Sequence, residues 1–110
     1  MNDYRLDVLA SLADEVARRR TVSPDSSYTA KLLSRGVENC AKKFGEEAVE
    51  LAIAAVLRDK SHTAAEAADV LYHLLVLLTA SDVSLPDVMA ELARRQGISG
   101  IAETASRPRD

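Results

Sequence analysis

Apolar residues recur along this chain at spacings of three and four, the period of an α-helix with one face turned inward. Leu6, Leu9, Ala13, Val16 and Ala17 form such a stripe and predict a first helix from about Asp3 to Arg20. Arg18, Arg19 and Arg20 close it where the helix dipole favours cations. Thr21–Ser27 (TVSPDSS) is rich in turn residues. A short helix is predicted next, Tyr28 to Ser34, ended by Gly36. Val37, Ala41, Phe44, Ala48, Leu51 and Ala55 then alternate steps of four and three and predict a helix over about Val37–Leu57. Gly45 within it costs about 1 kcal/mol relative to alanine, so a kink or a close approach by another backbone or a ligand is expected there. Asp59–Ser61 connect to a long stretch from about Thr63 to Ser81, with Ser61 or Thr63 as its N-cap. Val70–Ala80 is apolar nearly all round, which predicts a place at the centre of a bundle or in a subunit interface. Ser84-Leu85-Pro86-Asp87 sets a capping hydroxyl, an early proline and an acid at the start of a last helix. That helix runs through Val88, Met89, Leu92 and Ala93 to Gln96, and Gly97 stops it. The pattern describes an all-α bundle of four to five helices, one domain over 1–97, followed by a weakly structured tail over 98–110.

Composition agrees. A chain of 110 residues suits a single domain. With 47% apolar and 28% charged residues and a net charge of −3, it is neither a disordered tail nor a protein held mainly by nucleic-acid phosphates. Aromatics at 4% are too few for a strand-rich fold. Cys40 is the only cysteine, so no intrachain disulfide forms. The first residues carry charge throughout and contain no apolar signal core. The longest nearly apolar run is about half a membrane span. A cytoplasmic protein with neither nucleic acid nor membrane as partner is expected.

Nucleophilic triads, phosphate-binding glycine loops and zinc sites rich in Cys and His find no support in the residues present. What stands out is two groups of acids: Glu46, Glu47 and Glu50 on one predicted helix, Glu66 and Asp69 on the next. Glu47/Glu50 and Glu66/Asp69 are three apart, hence neighbours on one face. Glu47 shares its face with Cys40, Phe44, Leu51 and Ala54; Glu66 and Asp69 share theirs with Val70, His73, Leu77 and Ala80. These acids are therefore set into largely apolar stripes, and antiparallel packing would bring four carboxylates together. Two such charges about 4 Å apart repel by up to about 4 kcal/mol at an effective dielectric near 20. Protons, solvent or a cation must relieve that repulsion. All-oxygen ligands suit Mg2+ or Mn2+, which bridge phosphate oxygens and ease deprotonation of water. Lys42 and Lys43 one turn before the acids, and Lys31 and Arg35 on the short helix, supply cations for an anionic substrate. The set suits metal-assisted hydrolysis of a phosphoanhydride.

Each feature also has a plain structural reading. Lys42/Glu46 and Lys43/Glu47 are ordinary i,i+4 surface pairs, and Glu-x-x-Glu is common on solvated helices. His73 reads as a hydrogen-bonded core histidine and Cys40 as a small packing residue. Tyr28 either stacks on a base or packs the short helix. Arg94 and Arg95 read most simply as C-terminal dipole partners, with contact to an anionic ligand as the alternative.

The stretches SSYTAKLLSRG (Ser26–Gly36), KKFGEEAVELAIAA (Lys42–Ala55), EAADVLYHLLVLL (Glu66–Leu78) and VMAELARRQG (Val88–Gly97) resemble phosphoribosyl-ATP pyrophosphohydrolases of histidine biosynthesis, within the MazG-like all-α nucleotide pyrophosphohydrolase group. The likeness covers about residues 1–105. The Glu-x-x-Glu … Glu-x-x-Asp signature falls on Glu47, Glu50, Glu66 and Asp69, and by itself indicates only the wider group. The resemblance implies a MazG-like bundle, usually dimeric, that hydrolyses phosphoribosyl-ATP to phosphoribosyl-AMP and pyrophosphate with Mg2+. Glu47, Glu50, Glu66 and Asp69 would hold the metal, and Glu46 would be an extra ligand or general base beside Glu47. Lys42, Lys43 and Lys31 would face phosphates. The cyclohydrolase step that follows is expected on a separate polypeptide. Two alternatives stand beside this reading. One is a house-cleaning nucleoside triphosphate pyrophosphohydrolase with the same metal site. The other is a non-catalytic helical dimerisation module whose acids are only a solvated face. The homodimer is expected to include the Val70–Ala80 helix in its core.

Overall fold

Five amphipathic segments fold into five α-helices in the computed structural model, which describes residues 4–96. They are α1 (Leu6–Arg18), α2 (Tyr28–Ser34), α3 (Val37–Val56), α4 (Lys60–Ala80) and α5 (Leu85–Arg95), with a 3-10 turn over Arg19–Thr21 after α1. The order and number agree with the sequence pattern, and no strand occurs among the described residues. Gly97 and the tail over 98–110 lie outside them.

The helix ends depart from expectation for local reasons. Arg5, in the left-handed region at φ 51°, precedes α1, so the helix starts at Leu6 rather than near Asp3. The predicted cap at Ser84 is present, its hydroxyl accepting from the Asp87 amide at 3.2 Å, and Ser27 caps α2 in the same way, accepting from the Ala30 amide at 3.2 Å. Helix α4, by contrast, is capped by neither Ser61 nor Thr63. Asp59 Oδ1 accepts from the His62 amide at 3.0 Å, and the helix begins at Lys60. Ser61 and Thr63 hydroxyls instead bond back to the Asp59 carboxylate and carbonyl. Gly36 stands before α3 at φ 91°, ψ 172°, a conformation open to glycine and strained for other residues.

The α3–α4 pair is the backbone of the molecule. The two helices pack antiparallel through a three-residue turn, and α4 also packs against α1 and α2. This confirms the central place read for the apolar Val70–Ala80 segment. Among the described residues α4 alone is long and apolar enough to cross a membrane, a composition that central bundle helices share. The fully buried apolar residues are Val16 from α1, Ala30 and Leu32 from α2, Cys40 and Ala54 from α3, and Leu75 and Val76 from α4. Cys40 packs as expected, and its thiol donates to the Leu32 carbonyl at 3.3 Å. Thr29 and Tyr72 hydroxyls share a hydrogen bond that ties α2 to α4. Helix α5 reaches the core through Leu85.

Gly45 neither kinks its helix nor, among the described residues, admits another backbone. Helix α3 runs unbroken through it, and nothing lies within 4 Å of where a Cβ would stand. Gly45 opens instead onto an exposed apolar row on the outer side of α3, made by Val49, Ile53 and Val56.

Candidate metal centre

The acids meet because of the register of the α3–α4 hairpin. Glu47 projects from the middle of α3 toward α4, two turns from buried Ala54 and one turn from half-buried Lys43 on the same face. On α4, His62, Glu66, Asp69 and His73 follow at steps of four, three and four, so they form one stripe along the groove. Carboxylate oxygens of Glu47, Glu66 and Asp69 lie within 4.8 Å of one another. Glu47 and Glu66 are half-buried and Asp69 is exposed, so the set is open on one side.

The remaining predicted residues take different places. Glu50 is exposed on the next turn of α3 and close enough to repel Glu66, but it is outside the tight set of three. Glu46 is exposed and pairs with Lys43 Nζ at 3.6 Å. Lys43 thus turns to Glu46 at i+3 rather than to Glu47 at i+4, and Glu47 is left to the acid cluster. Lys31 on α2 and Lys42 on α3 are exposed. Arg94 and Arg95 both pair with Glu91, which they hold at a pKa of about 2. Tyr28 is exposed rather than packed inside.

Electrostatics single out Glu66. Its side chain is only 14% exposed, and Oε2 is buried with no hydrogen-bond partner among the described residues. Burial raises its pKa first, followed by repulsion from Glu50 and Asp69; His62 opposes the rise and Glu47 adds to it. An ionised carboxylate oxygen without a donor is costly in such a place. A divalent cation would supply the missing partner and cancel the repulsion, so the donor set fits one. His73, at 7% exposure, forms the inner wall, its ring edge-on to Tyr72 at 5.0 Å. Burial lowers its pKa, Glu47 opposes that and Lys43 adds to it, which keeps the imidazole neutral near pH 7.

His62 is absent from the sequence-based candidates. Its Nε2 stands 3.7 Å from Glu66 Oε1, on the solvent side of the cluster. The i,i+4 spacing to Glu66 is the signal that identifies it.

Comparison with known proteins supplies the family. A sequence profile described as phosphoribosyl-ATP pyrophosphohydrolase matches residues 9–96, a span that holds the whole acidic stripe. A phosphoribosyl-ATP pyrophosphatase of Cereibacter sphaeroides is 63% identical over 102 residues, covering 93% of this chain and 99% of the relative. The protein of the same name from Dinoroseobacter shibae is 61% identical, covering 93% of this chain and 100% of the relative. The one from Ruegeria pomeroyi is 57% identical over 104 residues, covering 94% and 99%. The chain belongs to the phosphoribosyl-ATP pyrophosphohydrolase family.

Proposed function

We propose that this chain hydrolyses phosphoribosyl-ATP to phosphoribosyl-AMP and pyrophosphate, with Mg2+ held by Glu47, Glu66 and Asp69 and completed by Glu50. The observation that carries this reading is the convergence of three carboxylates from two helices around a buried, unpartnered Glu66 oxygen, in a chain whose relatives bear that activity in their name. When bound, Mg2+ supplies charge to the phosphate oxygens and makes water more acidic; Mn2+ suits the same oxygen donors. The protein's own groups do the rest. Glu47, Glu66 and Asp69 fix the position of the reacting phosphates by holding the cation. Glu46 lies beside the cluster, open to solvent, and serves with Glu47 as acceptor for the proton of the attacking water. Lys43 at the cluster edge and Lys42 and Lys31 on exposed turns offset phosphate charge.

The same reading places the protein in the cytoplasm as a homodimer, with the following cyclohydrolase step on another polypeptide. Val49, Ile53 and Val56, exposed by 59, 54 and 78%, support a dimer face on the outer side of α3, with Gly45 allowing close approach. Helix α5 adds exposed Met89 and Leu92. In the single chain Leu71, at 44%, is the one exposed residue of Val70–Ala80, so that helix would contribute to the dimer core from behind α3 rather than as the contact itself.

The test is substrate choice. Pyrophosphate release in the presence of Mg2+ is measured with phosphoribosyl-ATP and, separately, with ordinary nucleoside triphosphates. A kcat/KM at least about tenfold higher for phosphoribosyl-ATP is expected. Preference for the simple triphosphates would assign the house-cleaning activity instead, and no release from either would leave a non-catalytic helical module.

A further inference from the structure

The acidic stripe of α4 continues beyond the carboxylates. His62 lies one turn before Glu66 on the same face, 57% exposed, and its Nε2 stands 3.7 Å from Glu66 Oε1. Glu66 therefore divides its two oxygens: Oε2 is buried and unpartnered, while Oε1 faces an imidazole. Two donor atoms on a common divalent ion, each about 2.1 Å from it, stand about 3 Å apart at a right angle and about 4 Å apart when opposite. The observed separation falls within that window. The backbone that carries His62 is held, because its amide donates to the Asp59 cap at 3.0 Å. Its ring lies on the open side of the cluster.

We infer that His62 is a nitrogen donor to the cation held by Glu47, Glu66 and Asp69, and that it sets which cation the site prefers. The inference rests on the metal site proposed above and adds a selectivity to it. Imidazole is a borderline donor: it binds Co2+ or Zn2+ well and adds little for Mg2+, which keeps oxygen ligands and water. With His62 engaged, the site favours borderline cations beyond what its carboxylates alone would give. With His62 turned away, the oxygen donors remain and Mg2+ is held as before. One fold thus offers two ligand sets, and the swing of a single exposed side chain selects between them.

The experiment titrates the nucleotide-free full-length chain with Co2+, followed by its visible absorption, and then with Mg2+ in competition. It is run on the wild type, His62→Ala and His62→Gln. Loss of the imidazole is expected to weaken Co2+ by about tenfold or more, to leave Mg2+ within about twofold, and to change the Co2+ bands. The thermal midpoint of the cation-free protein should hardly move, since the ring is exposed. Equal weakening of both cations would overturn the inference, because it would make His62 a structural or purely electrostatic neighbour. Unchanged Co2+ affinity would overturn it as well while sparing the carboxylate site. A wild type that binds neither cation would overturn the inference and the metal site together.

Discussion

A carboxylate that is useful to a cation is a burden without one, and Glu66 carries that burden most heavily. Its proton is bound more tightly in the folded chain than in the unfolded one, because burial comes first and Glu50, Asp69 and Glu47 repel its charge. The stability it contributes is therefore full below the unfolded-state pKa, about 4.3, and is lost as pH rises through the raised folded-state value. Glu66→Gln should melt higher than the wild type at pH 7 to 8 without divalent ions. The difference should shrink on acidification and vanish near pH 4. With saturating Mg2+ the order should reverse, since only the wild type gains from binding. Differential scanning calorimetry at several pH values checks this; identical midpoints at neutral pH with no cation would contradict it. Much at this scale is legible from spacing. Glu47, Glu66 and Asp69 meet as the stripes predict, because side chains three apart on a helix share a face. The partner of Lys43 is not legible, since i+3 and i+4 acids, Glu46 and Glu47, are equally available in the sequence and only the fold decides between them.

Helix cores are legible because apolar periodicity is summed over many residues, whereas each end depends on a few local bonds. The turn between α3 and α4 shows this. Arg58 at φ 61° donates its amide to the Ala55 carbonyl and Asp59 donates to Ala54, the paired bonds of a left-handed helix stop. Asp82 at φ 61° and Val83 repeat the arrangement after α4, bonding to Thr79 and Leu78. Glycine is the usual signal for such a stop, and neither has one. Asp59 then caps α4 in the same turn, ahead of the serine and threonine that look equally suitable. One residue thus ends one helix and starts the next, which holds His62 and Glu66 in register with Glu47. Asp59→Ala should lower the thermal midpoint by about 5 °C, and Asp59→Asn, which keeps the cap acceptor, should recover most of it. An alanine variant that melts with the wild type would show that the turn does not depend on this cap.

The single chain leaves unusually much apolar surface uncovered for its small core: Val49, Ile53 and Val56 along α3, Met89 and Leu92 on α5, and Leu71 on α4 all face solvent. A second copy laid on α3 would cover the first group at the glycine-smoothed part of the helix. Light scattering should give twice the chain mass of 11.9 kDa, and Ile53→Glu should shift it toward the monomer; a wild-type mass that stays at one chain at all concentrations would contradict the dimer. The face was not legible as an interface, because Val49, Ile53 and Val56 lie between helix-core positions in sequence and only the packing of α4 on the opposite side exposes them. The proposed metal site does not depend on that outcome, since the three carboxylates that would hold the ion come from one chain. The most direct measurement is pyrophosphate release from phosphoribosyl-ATP as a function of Mg2+ for the wild type and Asp69→Asn, with circular dichroism confirming an intact fold. Turnover that requires Mg2+ and falls about 100-fold or more in the variant is predicted. Wild-type turnover untouched by a chelator, or a variant that keeps its rate within a few-fold, would contradict the account.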